Sequence, residues 1–178
     1  MPLFGLSCNN SAQSGNNRNT GRVKVMAKEI ERRFLVKNMS FKEKSTGVLY
    51  RQGYLSTDPK TAIRVRTIGN RAFLSIKSVY DGISRLEYEY EIPYEDANEI
   101  LHLCKKPIIR KYRYTIDYKG YTWEIDEFLD DNEGLVIAEI ELQNEEEQFP
   151  KPGFIGEEIT HDYRYLNVNL VNRPYKTW

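Results

Sequence analysis

The feature that most constrains the fold of this chain is a period-two alternation in which one face of nearly every candidate strand is charged. Successive side chains of a strand point to opposite faces of its sheet, so such alternation indicates strands with one apolar and one polar face. In the first strand, Glu29, Glu31 and Arg33 alternate with Ile30 and Phe34. The pattern predicts strands at 28–36, 48–56, 62–68, 72–79, 84–92, 108–118, 121–128 and 134–142.

Short turn sequences separate these strands and predict antiparallel neighbours. Gly69-Asn70, Asp81-Gly82 and Lys119-Gly120 have the composition of hairpin turns. A helix is predicted over 93–104, where apolar residues recur at helical spacing behind a proline, and a second helix near 160–172. The predicted fold class is mainly β (α+β), with eight antiparallel strands and a few flanking helices.

The charges on the polar faces come as closely spaced pairs of like sign, for which two interpretations exist. Carboxylates at positions i and i+2 lie about 7 Å apart and repel each other by on the order of 2 kcal/mol at an effective dielectric near 20. One interpretation is a solvated outer face around an apolar core, as is usual for a charged strand face. The other is a closed barrel with a water-filled, charged lumen, whose apolar face packs outward against helices.

A charged lumen explains both kinds of pair. A divalent cation relieves the repulsion between carboxylates, and hard oxygen donors suit Mg²⁺ or Mn²⁺. A multiply charged anion explains the basic pairs, because Arg binds phosphate oxygens bidentately and Lys supplies a compact charge. The lumen cations would be Arg33, Arg64, Arg66, Lys77, Arg85, Lys111 and Arg113. The lumen anions would be Glu29, Glu31, Glu87, Glu89, Glu91, Glu124, Asp126, Glu139 and Glu141.

Length and composition indicate one domain and exclude several classes of protein. The chain has 178 residues with 26 Lys+Arg and 26 Asp+Glu, and zero net charge argues against nucleic acid as a partner. Residues 1–25, which contain no acidic residue, are predicted to be a disordered leader or an added extension, and 26–178 the folded domain. No apolar run approaches the roughly 20 residues that span a membrane. The two cysteines form no disulfide or zinc pattern, which favours the cytoplasm.

The first predicted strand of the folded domain, Glu29-Ile-Glu31-Arg-Arg33, resembles the Glu-x-Glu-x-Lys opening of the CYTH, or triphosphate tunnel metalloenzyme, family. Members of that family include inorganic triphosphatases, thiamine triphosphatases, RNA triphosphatases and class IV adenylyl cyclases. The likeness extends over 27–170. The further matches, in the family's order, are Gln52-Gly-Tyr-Leu55, Ile63-Arg-Val-Arg66, Leu74-Ser-Ile-Lys77, the run 84–93, Lys111-Tyr-Arg-Tyr114, the run 123–128, Ala138-Glu-Ile-Glu-Leu142 and the run 158–167.

The resemblance implies an eight-stranded antiparallel tunnel that binds a triphosphate through basic residues and Mg²⁺ or Mn²⁺ through glutamates. The metal ligands would be Glu29, Glu31, Glu139 and Glu141. The phosphate-binding residues would be Arg64, Arg66, Lys77, Arg85, Lys111, Arg113 and Arg164. Glu87, Glu89, Glu124, Asp126 and Asp162 would be further carboxylates of the lumen or its mouth. The catalytic residues would be Glu139, Glu141 and Arg33, which stands where the family pattern has Lys.

The activity implied first is metal-dependent hydrolysis of inorganic tripolyphosphate, because the chain is compact and has no evident nucleoside pocket. A class IV adenylyl cyclase or a thiamine triphosphatase would use a similar lining. A polyphosphate-binding module without turnover is the alternative that is not an enzyme. The expected partner is a small triphosphate, and exposed strand edges also allow a homodimer.

Overall fold

The computed structural model describes residues 23–24, 30–58, 60–79 and 85–178. In this part of the chain, ten strands form one antiparallel sheet, which confirms the mainly β fold class. The strands are β1 Val23–Lys24, β2 Ile30–Val36, β3 Val48–Asp58, β4 Thr61–Ile68, β5 Arg71–Val79, β6 Arg85–Ile92, β7 Ile109–Tyr118, β8 Tyr121–Phe128, β9 Val136–Leu142 and β10 Ile155–Glu158. Their order across the sheet is β1-β6-β5-β4-β3-β7-β8-β9-β2-β10.

The eight predicted strands correspond to β2 through β9, and the first and last of them are neighbours. Arg33 of β2 lies opposite Glu139 of β9, and Glu31 lies opposite Glu141. Two short strands are additional: β10 pairs with β2, and β1, within the predicted leader, pairs with β6. The rest of 1–25 lies outside the described residues. Among the strands described, no ladder joins β1 to β10, so backbone hydrogen bonds do not close the predicted barrel.

Two of the predicted hairpin turns are present. Lys119 and Gly120 both have positive φ, at 49° and 86°, and connect β7 to β8. Gly69, at φ 56°, begins the turn between β4 and β5. The turn predicted at 81–82 lies outside the described residues. Because positive φ at both central residues matches the twist of the flanking strands, the turn at 119–120 fixes the register of the β7–β8 hairpin.

The helices lie on the outside of the sheet. α1, Tyr94–Leu103, packs on β4 and β5 through the buried Ala97 and Leu101, as the pattern over 93–104 predicts. The helix predicted near 160–172 is divided into a 3₁₀ turn at Tyr163–Tyr165 and α2 at Asn167–Asn172, because Leu166 between them is extended. Further 3₁₀ turns lie at Ser40–Glu43, Asp130–Asn132 and Tyr175–Thr177. No helix in the described ranges has the length and apolar character needed to cross a bilayer.

The apolar side chains pack on the outer faces of the strands in three clusters. The largest is on β2, β7, β8 and β9, where the rings of Phe34 and Trp123 lie 5.6 Å apart. In the second cluster, Leu170 and Val171 of α2 pack with residues that include Ile109. The third cluster joins α1 to β4 and β5. Since the alternate residues of these strands carry the charges, the charged faces point inward, as the lumen interpretation predicts.

Candidate active site: the charged central cavity

A cavity of about 1060 Å³ lies between the strands and is called the central cavity below. It collects side chains of β2 through β9 that share the inward face of their strands. It brings together most of the predicted site residues: Glu31, Arg33, Arg64, Arg66, Lys77, Glu89, Lys111, Arg113, Glu124, Glu139 and Glu141. Period-two alternation alone therefore placed these residues correctly on one face, and the curvature of the sheet brings them together.

The central cavity has two different ends. The hairpin end is formed by Lys119 and Gly120, with Glu147 beside them. The C-terminal end is formed by Tyr165, Leu166 and Asn167. These are opposite ends because α2, which follows directly, packs on Ile109 and Phe128, the residues farthest along the β7–β8 hairpin from its turn.

Several residues that line the central cavity were not among the predicted site residues. Tyr50 and Gln52 line the cavity from β3, and Lys119, Tyr165 and Asn167 line its ends. Tyr50 and Gln52 are neutral, so a search for charged pairs passes over them, although they share the strand parity that would have identified them. The residues at the two ends belong to a hairpin turn, a 3₁₀ turn and the start of a short helix, whose positions depend on tertiary packing and leave no period-two signal.

The most deeply buried ionic group is Asp126, which supports two cations of the cavity wall from behind. Lys111 donates to Oδ2 of Asp126, and Nε of Arg113 donates to Oδ1 at 2.6 Å. Burial alone would raise the pKa of the Asp126 carboxyl, but attraction to Lys111 and Arg113 outweighs it, so that pKa lies below its ordinary value. Burial, together with repulsion from Arg113, lowers the pKa of Lys111. Asp126 thus acts in the structure as a fixed counter-charge.

Glu139 has the opposite electrostatic environment. Burial and repulsion from Asp126 and Glu31 raise its pKa to about 8, although Arg113 donates to it at 2.9 Å. A carboxyl group with this pKa is largely protonated at neutral pH until a further cation arrives. The carboxylates on this side of the cavity therefore exceed what the neighbouring cations neutralise.

On the opposite side of the central cavity, Arg66 and Glu89 form an ion pair. Nη2 of Arg66 donates to both carboxylate oxygens of Glu89, at 3.1 and 2.9 Å, and Oγ of Ser75 donates to the same carboxylate at 2.8 Å. Burial opposes ionisation of Glu89, but the Ser75 hydrogen bond and the charges of Arg66 and Arg64 lower its pKa. Nε of Arg66 is shielded from solvent and finds no acceptor in the described part of the chain. A guanidinium with an unused buried donor is suited to an anionic ligand.

Arg33 lies between two of the predicted metal ligands. Its Nη2 is 3.3 Å from Glu31, and its Nε is 3.7 Å from Glu139. Its buried Nη1 has no hydrogen-bond partner among the described residues. The guanidinium therefore neutralises both carboxylates only partly and keeps a donor for another ligand.

The remaining predicted site residues lie elsewhere. Arg164 and Asp162 pair with each other, Nε to Oδ1 at 2.9 Å, beside a separate surface depression that also includes Arg32. Asp162 also accepts from the backbone N–H of Arg164 and caps the 3₁₀ turn, which holds both side chains away from the central cavity. Glu29 lies outside the described residues, as do the side chains of Arg85 and Glu87.

Comparison with known proteins explains why these charges converge. Residues 27–175 match the family model of the CYTH domain. The chain belongs to the CYTH domain family. This confirms the resemblance inferred from the motifs.

Relatives within the CYTH family match this chain over nearly their whole length. The inorganic triphosphatase of Acetivibrio thermocellus is 55% identical over 154 residues, which are 86% of this chain and 99% of that protein. The inorganic triphosphatase of Nitrosomonas europaea is 34% identical over 146 residues, or 80% and 95% of the two chains. The crystal structure of the inorganic triphosphatase NE1496 has a TM-score of 0.66 and 31% identity, and covers 82% of this chain and 95% of that one.

Membership of the CYTH family, the triphosphate tunnel metalloenzymes, implies a metal ion. Glu31 and Glu141 supply hard oxygen donors on neighbouring strands, and Glu31 is close enough to Glu139 to raise its pKa. The chemistry of these donors fits a hard divalent cation. Within the described ranges, no three Asp, Glu, His or Cys side chains cluster closely enough to hold a metal ion by themselves.

Proposed function

We propose that this protein hydrolyses inorganic tripolyphosphate to pyrophosphate and phosphate in a metal-dependent reaction. The observation that carries the proposal is the central cavity, in which inward-facing cations from β2, β4, β5 and β7 surround one space of about 1060 Å³. The relatives from Acetivibrio thermocellus and Nitrosomonas europaea are both inorganic triphosphatases, which supports the same activity. The family includes other triphosphate chemistries, but these names favour the inorganic substrate over a cyclase or thiamine triphosphatase reaction.

The cations of the cavity wall would hold the phosphates. Arg66 offers a buried donor, and Lys111 and Arg113 are held in place by Asp126. Because these groups are already fixed by ion pairs, binding an anion costs little reorganisation. The phosphate-binding set that we propose within the cavity is Arg64, Arg66, Lys77, Lys111 and Arg113, with Arg85 retained from the sequence prediction.

Glu31, Glu139 and Glu141, together with Glu29, would hold a divalent cation, Mg²⁺ or Mn²⁺. When bound, the cation supplies neutralisation of charge on phosphate oxygens. Glu139 must lose its proton to bind a cation, and the positive charge of that cation would favour the ionised carboxylate. We propose these ligands because Glu31 and Glu141 supply oxygen donors on neighbouring strands, and because the pKa of Glu139 stays raised although Arg33 and Arg113 both approach it.

Catalysis would rest mainly on positioning and charge. The transition state of phosphoryl transfer spreads negative charge over peripheral oxygens, which cationic side chains stabilise. Arg33 would contribute through its unused Nη1 donor. An ionised Glu139 or Glu141 would orient the attacking water, since a carboxylate accepts its hydrogen bond.

A parallel assay tests this proposal. The full chain, with Mg²⁺ or Mn²⁺, is offered tripolyphosphate, ATP and thiamine triphosphate while released phosphate and cyclic AMP are both measured. We expect the highest kcat/KM for phosphate release from tripolyphosphate and no cyclic AMP. Cyclic AMP as the main product would contradict the proposal, and tight binding without phosphate release would indicate a binding module instead.

Matched arginine variants separate the cavity from the surface. Arg66→Ala removes a cavity cation that pairs with Glu89, whereas Arg71→Ala removes an exposed arginine whose Nε and Nη2 donate to the two carboxylate oxygens of Glu91. We expect Arg66→Ala to raise KM at least tenfold, and Arg71→Ala to leave it within twofold. Equal effects would show that the central cavity is not where substrate binds. The cytoplasmic location and the homodimer stay predictions.

A further inference from the structure

One polar group at the C-terminal end of the central cavity has no partner within the described protein. Asn167 lines the cavity as the first residue of α2, and its Oδ1 is shielded from solvent with no donor in reach among the described residues. Buried amide oxygens are almost always hydrogen-bonded, because an unmade hydrogen bond leaves the loss of hydration of the group uncompensated. The group is therefore suited to a ligand that enters the cavity.

Asn167 is held firmly rather than carried by a loose loop. Leu170 and Val171, on the next turn of α2, are buried against β7, β8 and β9. Tyr165, on the other side, packs its ring 5.0 Å from that of Trp178, whose Nε1 donates to the carbonyl of Arg173 at 3.0 Å. The carboxamide thus has a fixed position in the wall that covers this end of the cavity.

The chemistry of a linear triphosphate fits such a group. An unesterified terminal phosphoryl group has three peripheral oxygens, of which one is protonated for part of the time near neutral pH, since the second pKa of such groups is near 6. Oδ1 accepts a hydrogen bond from that hydroxyl, and the amide Nδ2 donates to an ionised oxygen. A carboxamide can therefore accept from the P–OH group as well as donate to an ionised oxygen, whereas Lys and Arg side chains can only donate.

We propose that Asn167 is a specificity-determining residue that binds the unesterified terminal phosphoryl group of the substrate at the C-terminal end of the cavity. The inference rests on the proposed function, because it assumes that a triphosphate occupies the central cavity. It implies that the substrate lies along the cavity with one free end against the wall of Tyr165, Leu166 and Asn167. Any substituent on the other end would face the hairpin end.

Calorimetric titration of the full chain without metal tests this assignment, with linear tripolyphosphate and cyclic trimetaphosphate as ligands. The ring has no terminal phosphoryl group. We expect Asn167→Ala to raise Kd for the linear ligand about tenfold, the effect of one hydrogen bond to a charged group. Its Kd for the ring should stay within twofold.

A pair of aspartate variants tests whether the side chain of Asn167 contacts the phosphate directly or only fills space in the cavity wall. Asn167→Asp keeps the size of the side chain but places a carboxylate against the phosphate, so we expect a larger loss of tripolyphosphate affinity than with alanine. Asn172→Asp makes the same charge change at an exposed position of the same helix and should leave Kd within twofold. Melting temperatures of all variants establish that they fold.

The outcomes separate the inference from the proposed function. If wild type binds and hydrolyses tripolyphosphate but Asn167→Ala binds it unchanged, or loses both ligands equally, the role of Asn167 is overturned. Binding by Asn167→Asp equal to wild type would overturn it too. If wild type itself neither binds nor hydrolyses tripolyphosphate, the proposed function fails, and the inference fails with it.

Discussion

At the scale of single residues, the buried ionic groups among the described residues of the cavity wall depend on close counter-charges. Asp126 shows this most clearly, since it is almost completely buried and accepts hydrogen bonds from both Lys111 and Arg113. A buried ion pair adds little net stability, but removing one partner leaves the other uncompensated. Such residues support the fold and, in the proposed binding site, would position their neighbours for the ligand.

Removal of Lys111 tests this support. We expect Lys111→Met to lower the free energy of unfolding by about 3 kcal/mol, because Asp126 loses one of its two cations while it stays buried. Urea denaturation measures the change. Lys176→Met removes a cation from an exposed pair with Glu133 and should change the free energy of unfolding far less than Lys111→Met. Equal costs for the two variants would contradict the structural role of Lys111.

The raised pKa of Glu139 gives a pH dependence with a definite sign. Its pKa of about 8 lies above the ordinary 4.5, so the folded state binds more protons than the unfolded state between those values. The stability that this group contributes is therefore fully present below about pH 4.5 and is lost as the pH rises through 8. We therefore expect the metal-free protein to become steadily less stable as the pH rises between these two values.

Urea denaturation in the presence of a chelator, at intervals from pH 5 to 8.5, measures that slope. Glu139→Gln carries no titrating group and should flatten it. An identical slope in wild type and Glu139→Gln would show that the carboxyl group titrates near its ordinary value in the folded protein.

At the scale of secondary-structure elements, the contact between β3 and the end of α1 depends on a residue without a side chain. A Cβ atom added at Gly53 would lie 2.7 Å from both Cβ and Sγ of Cys104 and 3.0 Å from Cδ1 of Ile108. These distances are too short for carbon–carbon or carbon–sulfur contact, so either α1 or the strand would have to move. Gly53 lies next to Gln52, which lines the central cavity.

We expect Gly53→Ala to lower the free energy of unfolding by about 1–3 kcal/mol, the usual cost of overpacking. Gly153→Ala is the matched control, because a Cβ there has no neighbour within 4 Å. Thermal or urea denaturation measures both. A Gly53→Ala variant as stable as Gly153→Ala would show that the packing of α1 on β3 relaxes without cost.

The strands and the inward parity of their charges could be predicted because both follow from local sequence. Arg64, Arg66 and Lys77 needed only the period of two, and the turn at 119–120 needed only its composition. The position of Arg164 could not be predicted, because a capping hydrogen bond from its own backbone to Asp162 directs it to the outer surface. β10 has only four residues, and its partner β2 is distant in sequence, so no local sequence pattern predicts this strand.

At the scale of the whole molecule, basic and acidic residues are equal in number, and many of them line the central cavity. The formal net charge is zero, with 26 basic and 26 acidic residues. Association with an anion is therefore determined by the field inside the central cavity rather than by the total charge. Binding of a polyanion in that cavity should also stabilise the folded state, because the unfolded chain has no such arrangement of cations.

We expect saturating tripolyphosphate, without metal, to raise the melting temperature by about 5–10 °C, which corresponds to about 2.7 kcal/mol at a hundred times Kd. Differential scanning fluorimetry measures the shift. Sulfate at the same ionic strength should give a much smaller rise, and Arg66→Ala should reduce the response to tripolyphosphate. Equal shifts with both anions would indicate general salt stabilisation instead of a specific site.

The two indole rings of this protein stand in contrasting surroundings. Trp123 is fully buried in the largest cluster, whereas Trp178 is 37% exposed and touches Tyr165 at the cavity wall. Emission from Trp178 should accordingly be red-shifted, accessible to iodide quenching and responsive to a guest beside Tyr165, while that from Trp123 should change only when the core opens. The chain thus carries its own pair of optical reporters, one for occupancy and one for folding, and a Trp178→Phe variant separates their signals.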